Sequence, residues 1–321
     1  MYRQTLLFLT LSIGSFLFVY AQSGDELLRQ VEALETEALA NIKKEQYAQA
    51  EKALDKAIEL MPLRANLYYQ RSAARFNRED YNGTYEDISK AIRLEPENPW
   101  YYLQKGILLN LARKPEDAID FYNQGLAFLD ESDTMYYDLL SARVDAKLDM
   151  YDLDGAIADA DIVLAHDSTN VDMINQLAIA LSFNGRAEES LVYFKKALLL
   201  EPENIDLIGN VGWGYLSLEQ YDESLKWYNR MISLNPDAAY GYSNRGYLYI
   251  RMKDYKAAKK DLKKAIKLDP YNAYAYKYRA LLFIALDDLD QACIELDLAD
   301  EHGYSKKYGP EVTALKEKHC Q

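Results

Sequence analysis

The sequence is poor in the residues that most often carry catalysis or hold metals. Its 321 residues include 2 cysteines and 3 histidines. His166, His302 and His319 are scattered through the C-terminal half, and no two stand four apart as a helical zinc pair would. Glycine is sparse at 14 residues, and none of it belongs to a phosphate-cradling loop or a nucleophile elbow. Carboxylates are plentiful but spread along the chain as solubilising charge. These absences predict a chain that is no enzyme and has no metal site and no cofactor. Positive charge is also in deficit, with 37 Lys and Arg against 51 Asp and Glu. The net charge of −14 argues against nucleic acid as a partner, since phosphate binding needs the opposite excess.

What is present points to a folded chain, because 49% hydrophobic and 27% charged residues supply enough apolar surface to offset chain entropy. A length of 321 residues exceeds one ordinary core, which leaves two domains or a repeat array. The first residues follow a separate logic. Arg3 precedes an almost unbroken apolar run from Leu6 to Ala21, and Val19 and Ala21 are spaced as the small residues of a cleavage site. Residues 1–21 read as a secretory signal, since the run falls short of the roughly 20 apolar residues that span a bilayer. No cysteine lies near the cut, so the expectation is a periplasmic or secreted protein, not lipid-anchored and with no membrane span after cleavage.

Self-comparison dominates the rest. YAQAEKALDKAIELMP at Tyr47 to Pro62 recurs as YNGTYEDISKAIRLEP at Tyr81 to Pro96, YDESLKWYNRMISLNP at Tyr221 to Pro236 and YKAAKKDLKKAIKLDP at Tyr255 to Pro270. A small residue marks each copy at Ala50, Thr84, Ala118, Ala156, Ser190, Ser224, Ala258 and Ala292, at steps of 34 residues with one step of 38. Twelve residues earlier a second small residue stands at Ala38, Ser72, Gly106, Ala178, Gly212, Gly246 and Ala280, with Val144 the exception. Two small residues so spaced let antiparallel helices approach closely, and the closing prolines end the second helix.

These residues resemble the tetratricopeptide repeat over nearly the whole chain after the signal. The resemblance implies an all-α, right-handed superhelical solenoid of about eight helix-turn-helix repeats, with the first helix of each lining a groove. A single hairpin cannot bury its apolar face, so neighbours stack. The array is read over residues 25–304, with repeats near 31–64, 65–98, 99–132, 137–170, 171–204, 205–238, 239–272 and 273–304. Residues 305–321 are read as a capping helix, with Pro310 in its first turn. Cys293 and Cys320 could bond in an oxidising compartment or remain two thiols.

Numbering each repeat from 19 residues before its small marker exposes a second pattern. Position 7 is Arg71, Arg143, Arg245 and Arg279 in four repeats, and position 23 of those same repeats is Asp87, Asp159, Asp261 and Glu295. The charges arrive and leave together, which predicts ion pairs between the two helices of one repeat. The 38-residue step near Leu129 to Thr134 predicts a longer turn or a change of curvature. Lysines crowd the second helix of the seventh repeat, either as a solvated outer face or as a steering charge.

Position 6 carries amides in most repeats, Gln70, Gln104, Gln176, Asn210 and Asn244, and ends in Tyr278. Amides donate and accept, which suits the main chain of an extended peptide. Trp100, Trp213, Tyr240, Tyr247, Tyr274 and Tyr278 lie around them as candidate anchors. Lys277 stands alone at position 5 with no Asn at position 9, so a clamp for a C-terminal carboxylate is not expected. The reading is an extracytoplasmic scaffold for a protein or peptide, of unknown oligomeric state. The alternatives are a glycan- or small-ligand-binding protein, or a non-catalytic subunit of an envelope enzyme complex. N-terminal sequencing of the exported protein is expected to begin at Gln22; an intact Met1 in the exported fraction would count against the signal.

Overall fold

The computed structural model describes residues 25–320, so the segment read as a signal lies outside the described residues. Among these residues every regular element is an α-helix. The chain divides into two compact units at Tyr151 and Asp152. In the first, α1 covers residues 25–43, followed by α2 (Tyr47–Leu60), α3 (Ala65–Asn77), α4 (Tyr81–Leu94), α5 (Pro99–Leu111), α6 (Pro115–Leu126) and α7 (Thr134–Asp149). In the second come α8 (Leu153–His166), α9 (Val171–Phe183), α10 (Ala187–Leu200), α11 (Ile205–Ser217), α12 (Tyr221–Leu234), α13 (Ala239–Arg251), α14 (Tyr255–Leu268), α15 (Ala273–Ala285) and α16 (Leu289–Glu301). Two short helices, α17 (Tyr304–Tyr308) and α18 (Glu311–His319), close it. The division falls inside the fourth repeat, between its two helices. Consecutive packed helix pairs make this an all-α helical repeat solenoid.

The helices of a pair meet where the sequence removes bulk. A Cβ on Gly106 would stand 2.2 Å from the Tyr122 ring, and one on Gly212 would stand 2.8 Å from the Tyr228 ring. Both tyrosines sit at position 24 and are almost wholly buried. At position 20 a hydroxyl does further work: Ser190 Oγ donates to the Ala178 carbonyl at 2.7 Å, and Ser224 Oγ donates to the Gly212 carbonyl at 2.8 Å. Those bonds satisfy small polar side chains that the close approach buries completely.

The turn between paired helices is the same in all eight repeats. Position 15 is left-handed at Glu45, Glu79, Arg113, Tyr151, Gly185, Glu219, Lys253 and Asp287, and only one of these is glycine. Outside the fourth repeat the next residue's N–H returns to a carbonyl five residues back, as Asp80 does to Arg75 at 3.0 Å and Arg186 to Leu181 at 2.9 Å. This closes the first helix in a Schellman-type cap. Side chains of Asp80, Asp152, Asp254 and Asp288 then cap the second helices. Repeats are joined by a tyrosine at position 4, which donates to the carbonyl of the preceding proline: Tyr68 to Pro62, Tyr102 to Pro96, Tyr242 to Pro236 and Tyr276 to Pro270, at 2.7–3.0 Å.

The 38-residue step is divided between two changes. Helix α6 stops at Leu126, two residues earlier in register than α2 or α4, and α7 starts three residues before position 1. The extra residues thus lengthen both the turn and the following helix. At the other end, Cys293 of α16 and Cys320 after α18 form a disulfide, with Cα atoms 5.6 Å apart. Tyr304 and Val312 are buried against Leu296 and Ala299, and Lys316 reaches Asp297 at 2.7 Å. The cap begins one residue before the expected boundary, and Pro310 precedes its helix as N-cap.

Because Gly185 has φ of 77° and open space around its missing Cβ, any cost of Gly185→Ala comes from backbone conformation alone. The expected loss is about 1–2 kcal/mol, measured by urea unfolding; no loss would show that this turn is not left-handed in solution.

Candidate interaction surface

The buried charges define which helix faces are committed to the fold. In the first unit the Arg71 guanidinium meets Asp87 twice, at 2.6 and 2.8 Å, and its third arm reaches Asp55 of the previous repeat at 2.7 Å. Burial opposes the charge on Arg71, but the bonds to Asp87 and Asp55 prevail and hold its pKa above the usual value. In the second unit Arg245 meets Asp261 at 2.6 and 3.1 Å and reaches back to Asn229 at 2.6 Å. Arg279 and Glu295 approach to 2.7 Å. The fourth pair falls on either side of the division between units; Arg143 donates to Asn123 at 2.5 Å, and Asp159 is buried.

The sequence reading placed these pairs within a repeat and missed their second arm. Asp55, Asn123 and Asn229 all occupy position 25, and each stands in the repeat before one with a position-7 arginine. An acceptor at position 25 was the available signal. The last pair lacks it, since Lys263 occupies that place. Arg279 Nε, the atom that meets the position-23 acid in the Arg71 and Arg245 pairs, is buried without a partner among the described residues, and burial outweighs Arg279 in raising the Glu295 pKa.

The position-6 amides divide into engaged and free. In the first unit Gln70 donates to Glu35 at 3.3 Å, where Asn66 and Arg64 also converge at 3.1 and 2.7 Å. The carbonyl oxygens of Gln70 and Gln104 are buried and unbonded among the described residues. Trp100, beside Gln104 on α5, is 48% exposed. In the second unit Asn210 donates to Asn175 on the preceding first helix at 2.8 Å, and Gln176 is half-buried. Asn244 is the exception: it is half-buried with no side-chain hydrogen bond among the described residues, on the α13 face that also presents Tyr240 and Tyr247.

Aromatic rings of the second unit form a connected series. Trp213 stacks on Tyr247 at 6.2 Å, Tyr247 on Tyr278 at 4.6 Å, and Tyr274 lies against Tyr278 at 5.8 Å and Tyr304 at 5.2 Å. Trp213 Nε1 donates to Ser182 at 3.3 Å, which fixes the indole. Tyr278 is 4% exposed, so it is the packed centre of this series and not an open contact. Trp213, Tyr247 and Tyr274 keep accessible edges, and Tyr240 is exposed. Lys277, which the sequence left alone, is buried and bound to Glu311 at 2.7 Å and Tyr304 at 3.0 Å. It belongs to the cap.

Removing one side of a buried pair strands the other charge. Asp261→Ala is therefore expected to cost about 3–5 kcal/mol, read as faster hydrogen exchange in α13 and α14, whereas an exchange pattern like the wild type's would exclude a buried pair there.

Comparison with known proteins agrees with this geometry. Family models of the tetratricopeptide repeat match residues 31–62, 171–204 and 213–282. No curated protein matches the sequence. Among solved structures, a tetratricopeptide repeat protein from Parabacteroides merdae is similar at 20% identity and TM-score 0.69, covering 79% of this chain and 98% of that one. PilW, a widely conserved type IV pilus biogenesis factor, is similar at 15% identity and TM-score 0.59, over 64% and 94% of the two chains. The C-terminal part of a repeat protein from Cytophaga hutchinsonii is similar at 15% identity and TM-score 0.51, over 76% and 98%. At these identities the likeness concerns the fold.

Proposed function

Since the chain is a tetratricopeptide-repeat protein, we propose that it is an exported, non-catalytic scaffold that holds a peptide or protein partner on the first-helix face of its second unit. The observation that carries this reading is the free amide of Asn244, on a helix face shared with Tyr240 and Tyr247 and extended by the stacked Trp213. Its neighbour in the ladder, Asn210, is spent on a contact with the first helix of the preceding repeat. An amide left over on a rigid aromatic floor is a donor and acceptor for a main chain, with rings to take alternate side chains. Trp and Tyr are also the residues in which interface energy concentrates. The ring series is rigid because Ser182 holds Trp213 and the cap closes over Tyr274, so less freedom is lost on binding. Export rests on the signal read in residues 1–21.

The stacked rings also suit the flat apolar face of a sugar, which makes a glycan the second reading. A carbohydrate would use Trp213 and Tyr247 as platforms and the Asn244 amide for hydroxyl groups.

Affinity capture from the envelope fraction, followed by binding measurements on the captured partner and on glycan arrays, separates the two. Changing Trp213 and Tyr247 together to Ala should weaken partner binding by about 2 kcal/mol or more with helicity unchanged. Glycan binding lost in that variant, with no protein captured, would replace the scaffold reading; a captured protein bound equally by both forms would move the site elsewhere.

A further inference from the structure

The third repeat departs from the arginine and acid rule in a way that leaves a cation without its anion. Lys105 occupies position 7 and Phe121 occupies position 23, where a carboxylate stands in the paired repeats. Lys105 is 6% exposed. Its ammonium donates to Ser89 Oγ at 2.6 Å and lies over the rings of Tyr85 and Phe121, at 4.1 and 4.8 Å. It forms no ion pair among the described residues, and Arg93 adds to burial in lowering its pKa.

The same place is concave. A cavity of about 600 Å³ is walled by Tyr68 and Tyr85 and bears Lys90, Arg93 and Lys105. Of the two carboxylates on its lining, Asp87 is already bound by Arg71 and Arg75. Glu86 alone is left to balance three cations. In a chain of net charge −14 this is a local reversal of sign. Burying an ammonium without a counter-charge is costly, and ring faces recover only part of that cost. Ser89 takes one of the three ammonium donors.

We propose that this cavity binds an oxyanion, the phosphate or carboxylate group of a small molecule, with Lys105 Nζ as the central donor and Lys90 and Arg93 as flanking charges. A lysine serving only to pack the repeat would be matched by an acid at position 23, as its arginine counterparts are at Asp87, Asp261 and Glu295. Here that place is given to an aromatic ring, which holds the ammonium without neutralising it. The site is built from α3, α4 and α5 of the first unit, whereas the face assigned to the partner belongs to the second.

Thermal unfolding of the full chain in sodium phosphate and in sodium acetate, against chloride at matched ionic strength, tests this. Wild type should gain several degrees in one or both oxyanions. The phosphate arm alone responding identifies a phosphate site, and the acetate arm alone a carboxylate site. Lys105→Met should lose the response while remaining at least as stable as wild type in chloride, because it removes an unpaired buried charge. Equal responses in wild type and variant, or no response of wild type to either anion, would overturn the proposal. If Lys105→Met does not fold, Arg93→Gln at the exposed rim should weaken the wild-type response, and an undiminished response would overturn it as well.

Discussion

Each hairpin exists because one of its helices lacks bulk where the other crosses it. The ring of Tyr228 fills the space that a side chain on Gly212 would need, and Tyr122 does the same opposite Gly106. Every other regularity follows from that approach. Once the two backbones are close, a hydroxyl at position 20 can reach the carbonyl at position 8, and position 7 comes within bonding distance of position 23. The guanidinium is then half enclosed with an arm to spare, which it extends to the previous repeat at position 25. A contact that begins inside one hairpin thereby couples it to the next, which is the nearest-neighbour interaction on which a repeat array depends.

Much of this was legible because the chain supplies its own comparison set. Eight internal copies made the small residues, the closing prolines and the paired charges visible as columns. The left-handed turn was not legible, since Gly185 is the only glycine among residues such as Glu79, Arg113 and Lys253 at position 15. Tertiary closure and the 6→1 bond impose that conformation on side chains that would not choose it. The second arm of Arg71 was missed because Asp55, Asn123 and Asn229 differ in type and share only the ability to accept. The surface was legible as a ladder of amides, but not which rungs are in use. That Asn210 is engaged and Asn244 is not depends on what the first helix of the preceding repeat offers at position 5, Asn175 in one case and Gly209 in the other.

The two surfaces singled out are both places where a local rule lapses. Among the described residues the Asn244 amide makes no hydrogen bond and Lys105 no ion pair. In an array whose copies otherwise satisfy the same contacts, an unsatisfied group is informative because its counterparts show what satisfaction looks like. The fold itself is indifferent to function, and these lapses are where a particular use can be written into it.

The C-terminal cap has a consequence for copies of the chain as well as for the chain itself. A bare last hairpin would expose on α15 and α16 the apolar side that earlier hairpins hide against their successors, and a second molecule could dock there as if it were the next repeat. Such head-to-tail contacts generate rings when the rotation closes and open filaments when it does not. Tyr304 and Val312 cover that side, Lys316 answers Asp297 at the place where a following arginine would, and the Cys293–Cys320 bond prevents the cover from peeling away. The disulfide thus holds in place a cover that packing and one ion pair also favour, so the last hairpin does not present a bare repeat face.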